Sequence, residues 1–407
     1  MKRYVIIGGG VASVGCIEGI RSVDKSGEIV LIAGEGVPAY CRPLISYYLE
    51  GKTGLDKMKY RPDTFYGDMG VRVVYGKAES IDSGRREVYV AGDAIPYDEL
   101  CLATGSTPFV PPFAGLDTVP VRTGFMTEAD ALYLESVLES TSRVLIVGAG
   151  LIGLKCAEGI VERVGKVTVC DLADRVLSSI LDAPCAIRMQ RVLEAHGIDF
   201  YLRNSVSRFD GNTATLQDGT EIAFDVLVTA VGVRANVGLV KGIADVDRGV
   251  LADVKQATSA PHVYAAGDCC QGYDASIGGR RVVAIWPNAY MQGYTAGVNM
   301  AGGDSTFDKG MPLNAIGFFG YHALTAGAYT GEMIEIVAED NVKRLFVDEG
   351  RLVGFMLLGD VTRAGILTAM VREKTPVDAT APEILKKSPS LEGIGAQKRK
   401  EILGGVV

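Results

Sequence analysis

Tyr4-Val-Ile-Ile-Gly8-Gly-Gly10-Val-Ala-Ser13 is a short apolar run that ends in a glycine turn. Its spacing is G-x-G-x-x-S. Gly8 allows a tight turn, Gly10 lets the backbone approach a pyrophosphate, and Ser13 stands where a third glycine would let the following helix pack on the strand. A helix opening at such a turn aims its free N–H groups at the phosphates, so the stretch predicts a strand, turn and helix that hold a dinucleotide. A second copy, Val144-Leu-Ile-Val-Gly148-Ala-Gly150-Leu-Ile-Gly153, keeps all three glycines. In both units an acidic residue closes the next strand, Glu35 after Ile29-Val-Leu-Ile and Asp171 after Val167-Thr-Val-Cys. Each lies at the roughly 20-residue spacing at which a carboxylate takes the hydroxyls of an adenosine ribose.

The chain has 407 residues, 48% of them hydrophobic and 22% charged, enough for two or three domains with full cores. A net charge of -8 and a pI near 5.2 speak against a nucleic-acid or anionic-membrane surface, which needs clustered bases. No apolar run reaches the about 18 residues of a membrane span. Met1-Lys-Arg before an apolar run imitates a secretory signal, but cleavage there would destroy the glycine turn, so the segment is read as retained. The eight cysteines (Cys16, Cys41, Cys101, Cys156, Cys170, Cys185, Cys269, Cys270) show no C-x-x-C, and most sit in apolar runs as small core residues. A reducing cytoplasm is expected. His196, His262 and His322 are scattered without metal-ligand spacing, and no metal site is expected.

In chain order, Val37-Pro-Ala-Tyr-Cys-Arg42-Pro43-Leu-Ile-Ser46-Tyr47 is a proline-bearing loop in which Arg42 is the only cation, with a donor fork suited to a pyrophosphate. Alternation from Val71 to Leu102, with a turn at Ala91-Gly-Asp-Ala, predicts a small β-meander. It leads into a buried strand that ends in Ala103-Thr104-Gly105, small residues where a backbone or ligand comes close. The Pro/Gly-rich stretch from Pro111 to Pro120 marks a domain boundary. Past the second glycine turn, the order of meander, Asp225, apolar strand and Gly232 repeats the earlier plan, which suggests duplicated nucleotide units. The strand in Tyr264-Ala-Ala-Gly267-Asp268 ends in a carboxylate at the sheet edge where open α/β sheets bind ligands. A helix led by Trp286 follows, and then strand patterns such as Lys343-Arg-Leu-Phe-Val and Arg351-Leu-Val-Gly-Phe-Met.

Taken together, these motifs resemble the two-dinucleotide-binding-domain flavoproteins, the pyridine nucleotide-disulfide oxidoreductase superfamily. The carrying residues are Gly8-x-Gly10, Ala103-Thr-Gly105, Gly148-x-Gly150-x-x-Gly153, Asp225…Gly232-x-x-x-Asn236 and Tyr264-Ala-Ala-Gly267-Asp268. The resemblance implies an α/β fold with two Rossmann-like dinucleotide-binding domains, for FAD and NAD, plus a small C-terminal α+β domain. It divides the chain into an FAD domain over 1–115 and 245–312, an NAD(P)H domain over 116–244 and a C-terminal domain over 313–407. It implies that Asp268 bonds the FAD ribityl chain and that Trp286 lies beside FAD. Tyr40-Cys-Arg42-Pro43-Leu and Leu358-Gly359-Asp360 look like the branch of NADH:rubredoxin reductases, flavorubredoxin reductases and the flavin module of nitrite reductases. That branch implies electron flow from NADH through FAD to a rubredoxin-like or iron-sulfur protein, by a free enzyme or by the flavin subunit of a larger redox complex. The alternative is an NADH oxidase or peroxidase reducing oxygen or peroxide.

Two departures from the family pattern stand out. The C-x-x-x-x-C pair of the family's disulfide reductases is absent, and the single-cysteine position of its peroxidase and oxidase members falls on Pro43, with Cys41 two residues away and read as packed near FAD. The family's lysine and glutamate near the flavin read here as Tyr47 and Lys155, so the cation has moved to the other partner. A positive group there still favours the anionic reduced flavin, which makes Lys155 and Tyr47 the candidate catalytic pair. For docking an acceptor on an acidic chain, the candidate basic patches are Arg280-Arg281 and Lys398-Arg399-Lys400.

Overall fold

Runs such as Val-Ile-Ile and Ile-Val-Leu-Ile are β-branched on both faces, as parallel strands covered by helices on either side require. In the computed structural model, which describes residues 1–377, they form two five-stranded sheets built to one plan. In the first, the strand Arg3–Ile7 lies between Glu28–Ala33 and Glu99–Leu102, with Val71–Tyr75 and Val263–Ala265 at the edges. In the second, Arg143–Val147 lies between Lys166–Asp171 and Val226–Thr229, flanked by Ile198–Leu202 and Arg122–Thr123. Beyond their first residues the central strands are almost wholly buried. Each fully buried Val, Ile or Leu stabilises the fold by about 1.5–3 kcal/mol. The tail cluster Lys398-Arg399-Lys400 lies outside the described residues.

The duplication extends to single hydrogen bonds. Asp98 accepts the Arg3 amide at 2.6 Å and Asp225 accepts the Arg143 amide at 2.8 Å, so each carboxylate fastens the start of its unit's first strand. Asp225 also takes the Arg143 guanidinium, which pulls its carboxyl down to about 2. At the other end, the Gly8 amide donates to Ile32 O and the Gly148 amide to Cys170 O, both at 2.8 Å. Both aspartates thus sit at the end of the sheet away from the glycine turns and are structural.

Two three-stranded antiparallel meanders, over Ala78–Pro96 and Val206–Ala223, complete the repeat. The expected turn at Ala91-Gly92 is present, with φ of +51° and +85°. One expectation is corrected: Val71–Tyr75 pairs with Glu28–Ala33 as a parallel edge strand and is no part of the meander. As an edge strand it is nowhere fully buried, with Val71 and Val73 packed against the core on one face and Val74 against that on the other. After Met311 the chain forms a five-stranded antiparallel sheet from Leu313–Phe318 to Arg351–Leu358, packed by the helix Ala364–Arg372. No helix among the described residues is long and apolar enough to cross a membrane.

Candidate cofactor and electron-transfer site

Each glycine turn divides its work between two residues. Gly8 and Gly148 hold φ of +122° and +119°, and a side chain there would come within 2.0 Å of Ala103 O or 2.3 Å of Ala230 O. They are fixed by the fold. Gly10 and Gly150 begin the helices Val11–Val23 and Leu151–Ile160 in ordinary extended conformation, and a Cβ on either meets nothing within 4 Å. Neither helix has an acidic residue in its first turn. Two helix N-termini therefore face open space with their positive ends uncompensated, the arrangement a phosphate needs.

The units differ at their third position. A Cβ on Gly153 would meet Gly148 O at 2.0 Å, so the second helix presses on its own turn. Ser13, fully buried, turns its hydroxyl back to Gly10 O at 2.6 Å. The first helix finds its closest neighbour elsewhere: Gly15 and Gly19 lie against Tyr290 O and Tyr294 O of the helix Trp286–Met300, and Gly293 and Gly297 lie against Ala12 O and Cys16 O. A Cβ at any of the four would come within 2.3 Å of those oxygens. These glycines were missed in the sequence, although both pairs have the four-residue spacing of one helix face.

That helix pair brings the remaining motifs together. Gly267 fits between Ala12 and Ala289, each in the first turn or so of its helix, and donates its amide to Gln292 Oε1 at 2.8 Å. Asp268 accepts Ser106 Oγ at 3.0 Å; burial pushes its carboxyl above the usual range, while the Ser106 bond and the Arg42 charge pull it back. Thr104 and Asn236 exchange hydrogen bonds of 2.8 Å, and Asn236 N donates to Gly105 O. Strand Ser106–Pro108 pairs with Val233–Ala235 directly after Gly232. Ala103-Thr-Gly105, Gly232…Asn236 and Gly267-Asp268 thus form one bonded junction beside the first turn. Trp286 packs edge-on to Tyr60 at 4.4 Å. Replacing Asp268 by Ala should weaken FAD retention about tenfold on loss of one charged hydrogen-bonding group, as measured by flavin release on dilution.

The acidic residues are not equivalent. Asp171 ends its strand, and its two oxygens accept the amides of Ala149 at 2.6 Å and Ala173 at 2.7 Å. Val147 pairs with Cys170 as Ile7 pairs with Ile32, so the counterpart of Asp171 is Ala33, where the first strand ends. This corrects the expectation that Glu35 closes that strand. Glu35 lies two residues on, in a loop, where it takes Tyr40 Oη at 3.0 Å and pairs with Arg42. Arg42 also donates to Met126 O at 3.0 Å, which places it between the loop and the second unit.

Lys155 and Tyr47 are brought together, and Lys155 does not reach out to water. Its ammonium lies 5.3 Å from the Tyr47 ring and 5.0 Å from the Phe318 ring, donates to Gly317 O at 2.8 Å and pairs with Glu158. The Lys155 side chain is 19% exposed and that of Glu158 only 7%. Glu158 went unnoticed in the sequence because its helix carries it without any motif. Cys41 is half-buried beside Pro43, and burial pushes its thiol up, away from the reactive thiolate. Cys41→Ser should leave NADH-to-dye turnover within about twofold; loss of turnover with the flavin retained would speak for thiol chemistry.

The description "Pyridine nucleotide-disulphide oxidoreductase" matches residues 2–293. Among curated proteins, the chain is 28% identical over 391 residues to the NADH-dependent phenylglyoxylate dehydrogenase subunit epsilon of Aromatoleum evansii, covering 92% of each. It is 30% identical over 404 residues to an NADH oxidase of Methanocaldococcus jannaschii, covering 90% of each. Against two relatives from Bacillus subtilis it spans about half of the relative's own length, 48% and 50%. Among solved structures, the reductase–putidaredoxin covalent complex matches with a TM-score of 0.88 at 22% identity over 99% of this chain and 98% of that one, a likeness of fold.

Proposed function

This chain belongs to the pyridine nucleotide-disulphide oxidoreductase family, and on that footing we propose that it carries electrons from NADH through FAD to an iron-sulfur or rubredoxin-like protein, alone or as the flavin subunit of a larger redox complex. It is an NADH-dependent oxidoreductase with FAD as its flavin. The observation that carries the assignment of sites is an asymmetry: both glycine turns open on a helix N-terminus, but only the first has the Ala103-Thr-Gly105 and Gly267-Asp268 junction beside it. In this reading residues 1–115 and 245–312 hold FAD and residues 116–244 hold NADH.

FAD held in this chain would supply the chemistry that links the two-electron donor NADH to a one-electron acceptor. The chain supplies the seat. Gly8, Gly10 and Ser13 would shape the turn under the FAD pyrophosphate with Arg42 beside it, Glu35 would face the adenosine ribose, and Ala103, Thr104, Gly105, Gly267, Asp268, Pro43 and Trp286 would line the rest. Gly148, Gly150, Gly153, Asp171 and Gly232 do the same for NADH. Lys155, facing Tyr47 and paired with Glu158, would present its ammonium to the reacting end. The subunit reading draws support from the relative in Aromatoleum evansii, which matches over nearly its full length and is itself a named subunit of a dehydrogenase.

Docking of an acceptor falls to Arg280. Arg281 pairs with Asp274, whose side chain is wholly buried, so its charge belongs to the fold. Arg280 is exposed on the same strand and has no ion pair among the described residues. Arg280→Glu should slow reduction of an iron-sulfur acceptor about tenfold at low salt and flatten its salt dependence. Turnover with a small dye should not change. Equal loss in both assays would make Arg280 part of the FAD seat, and dye reduction without transfer to any iron protein would sink the acceptor assignment. The Methanocaldococcus relative supplies the second reading, electron delivery to oxygen; oxygen uptake matching NADH turnover would favour it.

A further inference from the structure

Three separate pieces of chain meet at the Lys155 ammonium. Tyr47 comes from the short helix Ile45–Leu49, Lys155 and Glu158 from the helix Leu151–Ile160, and Gly317 and Phe318 from the first strand of the C-terminal sheet. An ammonium has three donors. Glu158 Oε2 and Gly317 O take two of them. The other oxygen of Glu158 accepts the amide of Phe319 at 2.9 Å, so this one carboxylate ties the lysine to the hairpin turn. Phe319 and Gly320 form that turn with φ of +49° and +83°, an unfavourable conformation for a bulky residue. It is held there by Glu158 and by His196, whose ring stacks on Phe319 at 3.9 Å and 5°. A nearly buried carboxylate bonded on both oxygens is a fixed anchor, and an unanchored lysine has a long flexible stem.

We propose that Glu158, with the Gly317–Phe319 turn, is the positioning residue of Lys155, and that the C-terminal sheet thereby sets the geometry of electron transfer from NADH to FAD. This rests on the reading of Lys155 as the cation at the reacting end. Its consequence is that a sheet outside both nucleotide units controls a step between them.

The test is a double-mutant cycle on the FAD-loaded enzyme, with Glu158→Gln, Lys155→Met and the double variant. NADH is mixed rapidly with each and flavin bleaching is followed. If Glu158 acts through Lys155, Glu158→Gln lowers the limiting reduction rate about tenfold with the NADH dissociation constant unchanged, and adds nothing in the Lys155→Met background. A second readout needs no turnover: acetylation of Lys155, followed by mass spectrometry with and without FAD, should quicken severalfold in Glu158→Gln as the ammonium is released. Additive rate losses, or an unchanged labelling rate, would overturn the proposal. Wild-type flavin that NADH does not bleach would instead overturn the proposed function, and the labelling would still report whether Glu158 holds Lys155. Should Glu158→Gln not fold, Glu158→Asp withdraws the carboxylate by one methylene and is expected to give an intermediate rate and labelling; wild-type values of both would again overturn the proposal.

Discussion

Gly150→Val should leave the protein folded and yellow while lowering kcat/KM for NADH about a hundredfold or more, and Gly10→Val should leave it folded but colourless. The argument rests on where a side chain at each position points. Both glycines have φ near -90° and extended ψ, which any residue adopts, and both face open space. The cost to the fold is then limited to a poorer helix start, about 1 kcal/mol. The cost to a ligand is much larger, because the isopropyl group fills the space in front of the N-terminal amides where a pyrophosphate makes its contacts. Gly8→Ala is the contrasting control: its Cβ would strike Ala103 O in a left-handed backbone, so misfolding is expected. Circular dichroism, flavin absorbance and NADH kinetics separate the outcomes. Retention of FAD by Gly10→Val, or normal NADH kinetics in Gly150→Val, would remove the respective nucleotide from its turn.

The wild-type protein should prefer NADH over NADPH by about a hundredfold in kcat/KM. Asp171 is held by the Ala149 and Ala173 amides at the end of its strand, one step from the Gly148 turn. A charge pair about 5 Å apart at an effective dielectric near 20 is worth on the order of 3 kcal/mol, and a 2′-phosphate facing this carboxylate meets that as repulsion. Arg175, the nearest basic residue in sequence, is bound to Asp174 and to Leu181 O, so it does not offset the effect. Arg203 is exposed and lies 4.0 Å from Asp174. Asp171→Asn should bring the two nucleotides closer together. Equal kcat/KM for both in the wild type would remove the argument from Asp171.

What was legible in the sequence was whatever the backbone itself demands. The left-handed Gly8 and Gly148, the strand-to-helix turns, the repeated aspartates before apolar strands and the small residues at Ala103-Thr-Gly105 all follow from local sterics and hydrogen bonding. What depends on a distant partner was hidden. Glu35 and Asp171 look alike until strand register separates them by two residues. Arg280 and Arg281 look like one patch until Asp274 claims one of them. Glu158 looks like an ordinary helix charge until the hairpin at Phe319 arrives from more than a hundred residues downstream, bringing an amide to its second oxygen.

The close backbone contact of the helices Val11–Val23 and Trp286–Met300, made at their glycines, also dictates an order of events during synthesis. The first turn and helix are made before the second unit, yet their packing partner and the edge strand Val263–Ala265 come only after all of it. At ~5–20 residues per second the wait for that partner helix is roughly fifteen to fifty seconds. Throughout it, Glu99–Leu102 presents an open strand edge and Gly15 and Gly19 present bare backbone, surfaces that invite mispairing. The second unit has all five of its strands in one continuous stretch and can close first. The nascent chain therefore carries a finished domain on an unfinished one, and nothing can be gripped between Gly10 and Asp268 until the whole second unit has been made.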